Sequence, residues 1–205
     1  MPVPAGEPRL TAKGARTRLR IVAAAAELMN DTSVAGTTVE QVRDAAGVSS
    51  SQIYHYFADK QALVKAVIAY QNDTVVGGQE ALFDKLDTLD GLRAWRDAIV
   101  ELQRQRECRG GCPMGTLGSE LAEIDAEARA DLAGGFIRWA AGLRRGYQAM
   151  YDRGDLVAEA DPGKLATATL AALQGGLLLT QLNRDTEPLE SALDVILDHV
   201  RSLVR

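Results

Sequence analysis

Two short stretches place hydroxyl and amide side chains where they can do hydrogen-bonding chemistry: Thr38-Val39-Glu40-Gln41 and Ser49-Ser50-Ser51-Gln52. A hydroxyl followed three positions later by Gln is a capping box, in which each side chain accepts from the other residue's backbone amide and a helix opens. Free amides at such a start attract anions, Ser and Thr hydroxyls and Tyr phenols are phosphate ligands, and Gln can pair bidentately with adenine. Tyr54, His55, Tyr56 and Lys60 follow closely. This chemistry suits recognition of a polyanion. A second group is Cys108 and Cys112, flanking Arg109-Gly110-Gly111 and followed by Pro113. Cys-x-x-x-Cys without a nearby His or a second pair does not suit a structural zinc, and no metal or cofactor is expected. Arg109 and a helix N-terminus would lower a thiol pKa, making an oxidant or electrophile sensor, against which stands an inert arrangement with Cys112 buried and Cys108 exposed. For bond-making chemistry the chain is poor. Its two histidines are His55 and His199, and no Ser, Cys or carboxylate pair has a catalytic partner at meaningful spacing. A helical-bundle enzyme therefore lacks a catalytic constellation.

The elements that must hold the polar cluster can be read from local signals. Ile21, Ala24, Ala25 and Leu28 recur at helical spacing within Arg16 to Met29, which predicts an amphipathic first helix after a Pro-rich, frayed arm. Asn30 to Thr37 breaks it. Thr38 then starts a second helix of about two turns, which Gly47 stops by accepting a left-handed conformation. Ser49 restarts the chain at once, so residues 49–57 form a third helix joined to the second by a tight turn. Val39, Val42, Ala46, Val48 and Ile53 supply an apolar interior, since neither short helix is stable alone. Two short helices around a Gly turn, preceded by a basic helix, make a helix-turn-helix whose second helix enters a DNA major groove.

The run Thr37-Thr38-Val39, through Ala45-Ala46-Gly47-Val48-Ser49 and Ile53-Tyr54-His55-Tyr56-Phe57 to Lys60-Gln61-Ala62-Leu63, resembles the N-terminal domain of TetR-family transcriptional regulators over residues 14–68. The resemblance implies that Ser49, Ser50, Ser51 and Gln52 open a recognition helix that touches base edges and phosphates. It also implies that Tyr54 and Tyr56 reach the DNA backbone, with Thr38 and Lys60 on phosphates and His55 within the reader; Phe57 is read as core. One departure is Arg43, which follows Val42 where many members carry a small residue. A long cation cannot sit in a tight seam, so Arg43 is expected to snorkel outward to a phosphate or to Asp44.

Beyond residue 59 the pattern is long and helical: Lys60 to about Leu86, Gly91 to Arg106, Met114 to Ile124, Ala126 to Arg153, Pro162 to Asn183 and Pro188 to Val204, with no convincing strand. The expected fold is all-α, with a DNA-binding domain over 1–60 and a helical effector-binding and dimerisation domain over 61–205. This second part is similar, more loosely, to TetR-family C-terminal domains. Its last two helices carry Leu165, Ala168, Leu170, Ala171, Leu173, Leu177, Leu178 and Leu179, then Leu193, Ile196, Leu197, Val200 and Leu203, which suits a homodimer interface. Gly175-Gly176 in mid-helix argues for a close backbone approach there. Large side chains beside small ones suggest an effector cavity lined from Trp95, Met114, Leu117, Phe136, Trp139, Leu143 and Tyr147, with Gln174 or Gln181 as polar handles.

Composition sets the outer limits. The chain has 205 residues, with 46% hydrophobic, 25% charged and 5% aromatic, an ordinary globular balance poor in strand-forming aromatics. The net charge of −5 hides an asymmetry: residues 1–60 sum to +1 and the remainder to −6, with Arg9, Lys13, Arg16, Arg18 and Arg20 uninterrupted by an acid. Two cysteines cannot staple a secreted domain, and neither a signal peptide nor a membrane-spanning apolar run is expected, so the sequence reads as cytoplasmic. The resulting expectation is a DNA-binding regulator, usually a repressor in this family, released from its operator by a small molecule, with thiol-based sensing as the alternative.

Overall fold

The computed structural model describes residues 10–205, and among them no strand forms. Arg9 and the Pro-rich arm lie outside the described residues. The chain divides into two compact units, one running to Tyr70 and one from Gln71 to Arg205.

In the first unit, α1 spans Ala12–Asp31, α2 Val39–Ala46, α3 Ser50–Tyr56 and α4 starts at Lys60 and continues to Asn72. Helix α1 begins before Arg16, because Thr11 accepts from the Gly14 amide at 3.1 Å and caps it. Its apolar stripe, Ile21, Val22, Ala25, Ala26 and Met29, is buried. Val42 and Ala46 of α2 and Ile53 of α3 complete this core, with Phe57. Gly47 sits at φ +60°, ψ +46° and its amide closes onto the Arg43 and Asp44 carbonyls, so a glycine ends α2 as expected.

The second unit holds a short π turn at Asp73–Gly77, then α5 (Glu80–Phe83), α6 (Leu89–Gln105), α7 (Pro113–Leu121), α8 (Ala126–Asp152), α9 (Pro162–Asn183) and α10 (Glu187–Ser202). The single helix expected from Lys60 to Leu86 is thus interrupted. Its break falls before Gly77-Gly78, where a side chain on Gly78 would strike the Thr74 carbonyl oxygen at 2.6 Å. Pro113, Pro162 and Pro188 occupy first-turn positions of α7, α9 and α10, where a missing amide costs nothing.

Helix α9 packs between α8 and α10. Contrary to the sequence expectation, it is long and apolar enough to cross a bilayer by length and composition. Its inner face, Leu165, Ala166, Thr169, Leu173, Gly176, Leu177 and Thr180, is buried within this unit.

Candidate nucleic-acid interface and small-molecule cavity

Both capping boxes form. Thr38 accepts from the Gln41 amide at 3.2 Å while Gln41 Oε1 accepts from the Thr38 amide at 2.8 Å. Ser49 and Gln52 repeat the arrangement at 3.3 and 2.9 Å. Ile53 anchors α3 inward, and Ser49, Ser50, Ser51, Gln52, Tyr54 and His55 are all exposed, Tyr54 by 57%. Periodicity explains this: with one deeply buried residue in a seven-residue helix, the other faces are left to solvent.

The polar tip is internally bonded. Ser49 Oγ lies 2.9 Å from Ser51 Oγ, and Gln52 Oε1 also takes the Ser49 hydroxyl at 3.3 Å. Tyr56 is half-buried, its ring edge-on to His55 at 4.9 Å between centroids. Phe57 is core, and the Arg18 guanidinium stands 5.3 Å above its ring. Lys60 Nζ is 3.5 Å from the Ala35 carbonyl oxygen. Arg43 does turn outward, and its guanidinium meets Asp44 Oδ1 at 2.6 and 2.8 Å.

In the second unit a cavity of about 280 Å³ opens between the end of α4, the π turn, α6, the α6–α7 loop, α8 and α9. Of the residues expected from sequence to line an effector cavity, Trp139 stands in its wall, joined by Cys112 and by Leu173 and Leu177, which the sequence assigned to a thiol pair and to a dimer interface. Trp95 sits behind it, donating to Gln79 Oε1 at 2.9 Å. Met114, Leu117 and Leu143 are buried core, and Phe136 stacks on Trp139 at 6.4 Å. Tyr147 is fully buried with its hydroxyl 2.8 Å from Thr169 Oγ1, and burial pushes that phenol up. Gln174 stands beside Gly115 with its Nε2 buried and without a hydrogen-bond partner, and Gln181 crowds Gly111, a residue held at φ +51°. The wall instead uses Gln71, Thr74, Gln79, Gln103 and Arg106, which no sequence signal distinguished.

The cysteines are free thiols. Cys108 is buried as well as Cys112, at 6% and 9% exposure, against the expectation that Cys108 is exposed. Its carbonyl accepts from Arg184 at 2.9 Å, which pins the loop over α9. Burial pushes the Cys112 thiol up, outweighing the bond from the Gly115 amide that acts to lower it. Arg109, the expected activating cation, pairs with Glu107 at 3.4 Å.

The Gly175-Gly176 pair also divides. A Cβ on Gly176 would lie 2.9 Å from Leu189 Cα, so the close approach is to α10 of the same chain. Gly175 has open space instead. Leu165, Leu173, Leu177, Leu193, Leu197 and Val200 belong to this unit's own core, while Leu178, Leu179 and Leu182 are 56%, 50% and 69% exposed.

Comparison with known proteins matches this division. Residues 21–67 match the family described as bacterial regulatory proteins, tetR family, and residues 88–196 match the tetracyclin repressor-like C-terminal domain. The chain is 27% identical over 188 residues to the transcriptional regulator AcuR of Cereibacter sphaeroides, covering 91% of this chain and 86% of that one. It is 24% identical to the HTH-type transcriptional repressor DhaR of a Mycobacterium species, covering 90% and 93%. Among solved structures, a TetR transcriptional regulator from Chloroflexus aurantiacus superposes with a TM-score of 0.82 at 26% identity, covering 95% of this chain and 99% of that one.

Proposed function

Because the chain belongs to the TetR family of transcriptional regulators, we propose that it is a homodimeric repressor that leaves its operator when a small molecule fills the second-unit cavity. The observation that carries the DNA half is the exposed polar tip of α3, Ser49 to Gln52, presented by an anchored capping box. Thr38, Tyr54, His55, Tyr56 and Lys60 add phosphate ligands around it, and Arg43 joins them only by leaving Asp44. Recognition takes place in the cytoplasm, where the DNA is.

The outward row Ala168, Ala171, Gly175, Leu178, Leu179 and Leu182 repeats at three- and four-residue intervals along α9. Pairing it with the same row of a second copy buries leucines that otherwise face water, and a twofold pair of readers spaced roughly 34 Å apart fits successive major grooves. An effector must favour the released arrangement by roughly 3–5 kcal/mol to empty most of the operator. The relative DhaR, named as a repressor, supports the same sign of control.

Gel shift on the promoters of its own and neighbouring genes tests this reading. Specific binding should weaken with salt, and Lys60→Ala should lower the slope of log K against log salt by about 0.9, the value for one phosphate. Sequence-independent binding, or none, overturns it.

A further inference from the structure

Helix α1 carries its charges against its own dipole. A helix favours acids in its first turn and cations in its last. In α1, Lys13 and Arg16 occupy the opening turns, the first turn has no acid, the last turn has no cation, and Glu27 and Asp31 stand towards the end. That order costs stability, and a local rule broken without internal compensation marks a functional surface. The protein does not compensate it. Lys13, Arg16 and Arg20 are exposed, and among the described residues no carboxylate pairs with them. Arg18, by contrast, is engaged over the Phe57 ring.

Position narrows the role. Lys13, Arg16 and Arg20 recur at i, i+3 and i+7, which sets them in one row on the face opposite the buried stripe Ile21, Val22, Ala25, Ala26 and Met29. At a rise of about 1.5 Å per residue the row is roughly 10 Å long. Its leading end adjoins the reader, since a side chain on Gly14 would come 3.4 Å from the Tyr56 hydroxyl at the end of α3. Asp31 lies roughly 27 Å further along the axis than Lys13. A duplex held by α3 therefore passes the basic end of α1 and stays clear of the acidic end.

Charge selects the occupant. In a chain of net charge −5, three unpaired cations in a row suit a polyanion. Long, flexible cations outside the recognition helix meet phosphates and carry no base readout. We propose that Lys13, Arg16 and Arg20 bind phosphates of the duplex DNA flanking the half-site that α3 reads, adding affinity without adding sequence preference. The inference rests on the operator reading above and lengthens its footprint.

The test is a gel shift of the full-length protein on an operator selected from a randomised duplex. One probe is trimmed to the two half-sites, and the other carries one extra turn of random sequence, about ten base pairs, on each side. The parent should bind the extended probe at least about tenfold more tightly at ~0.1 M salt. The Lys13→Ala, Arg16→Ala, Arg20→Ala triple variant should lose that gain. Its slope of log K against log salt should fall by about 0.9 for each phosphate released, near 2.7 per protomer. Base preference should not change. Its thermal midpoint should hold or rise, because the removed charges opposed the dipole. Equal binding of both probes by the parent, or a triple variant that keeps the gain and the slope, overturns the inference while the operator reading stands. A lower midpoint would assign the cations to the fold, and an altered base preference would place α1 in the groove; either overturns it. The same holds if the triple substitution abolishes attachment to phosphatidylserine vesicles yet leaves the flank effect untouched. No specific binding to either probe overturns both readings.

Discussion

The side-chain oxygen of Gln52 lies 2.9 Å from the backbone amide of Ser49. The amide group suited to reading an adenine edge thus also closes the cap of the helix that carries it. Capping and base reading compete for one side chain, and their contributions can be separated by substitution.

Gln52→Ala removes both roles. It should lower the thermal midpoint by about 1–4 °C through the lost cap and relax base preference at one operator position. Gln52→Glu keeps an acceptor over the helix N-terminus, where negative charge is favourable, so the midpoint should hold while DNA affinity falls roughly tenfold or more against the phosphates. Thermal melts and selection from a randomised operator report both, and unchanged base preference in Gln52→Ala would remove Gln52 from the reader.

Burial that raises the Cys112 thiol also shields it. In the folded protein at neutral pH both cysteines should alkylate with iodoacetamide far more slowly than in urea. Cys112→Ser should respond to oxidant as the parent does, because serine keeps the cap on α7 that the Cys112 sulfur makes with the Gly115 amide at 3.4 Å. Rapid native labelling, followed by mass spectrometry, would restore the thiol-sensing alternative.

Adjacent glycines on α9 should behave in opposite ways. Gly176→Ala overpacks against Leu189 and should cost about 1–3 kcal/mol. Gly175→Ala, facing open space, should leave the fold intact or stabilise it by up to ~1 kcal/mol. On the same outward row, Leu178→Asp should shift sedimentation from dimer to monomer and weaken operator binding with it. A dimer that persists in Leu178→Asp places the interface elsewhere.

Helices α6 and α10 are joined by charge. Arg96 meets Asp194 at 2.8 Å and Glu190 at 3.2 Å, and Arg104 meets Glu190 at 2.7 Å. The Thr186 hydroxyl, then the charges of Arg104 and Arg96, hold the Glu190 carboxyl below its ordinary value despite partial desolvation. A carboxyl depressed on folding contributes stability above its unfolded pKa of about 4.3, and that contribution is lost as pH falls through the folded value. Thermal midpoints should therefore drop on acidification, and Glu190→Gln should lower the midpoint at pH 7 while flattening the acid limb. A parallel acid limb in the variant would mean that the drop comes from other carboxylates.

Local signals carried the first unit well. The hydroxyls of Thr38 and Ser49 meet amides three residues away, and Gly47 ends α2 through its own backbone, so each boundary depends on only a few neighbouring residues. Arg43 and Asp44 are likewise adjacent, which is why their pairing could be anticipated. By contrast, the π turn after α4 had no legible counterpart, since apolar periodicity alone does not distinguish one helix from two joined out of register.

The all-α class, the helix-turn-helix and the exposed polar tip of α3 were determined by the sequence itself, because caps and amphipathic periods act over three or four residues. Which large side chains line the cavity was decided by tertiary packing. Trp139 and Gln103 come from α8 and α6, whereas Met114 and Leu143, large apolar residues expected beside Trp139, fall in solid core. Likewise Gly176 and Gly175 are identical in sequence terms, and only the presence of Leu189 beside one of them, thirteen residues further along the chain, gives them different roles. Contacts between distant segments depend on how whole helices dock, and no local pattern encodes that docking.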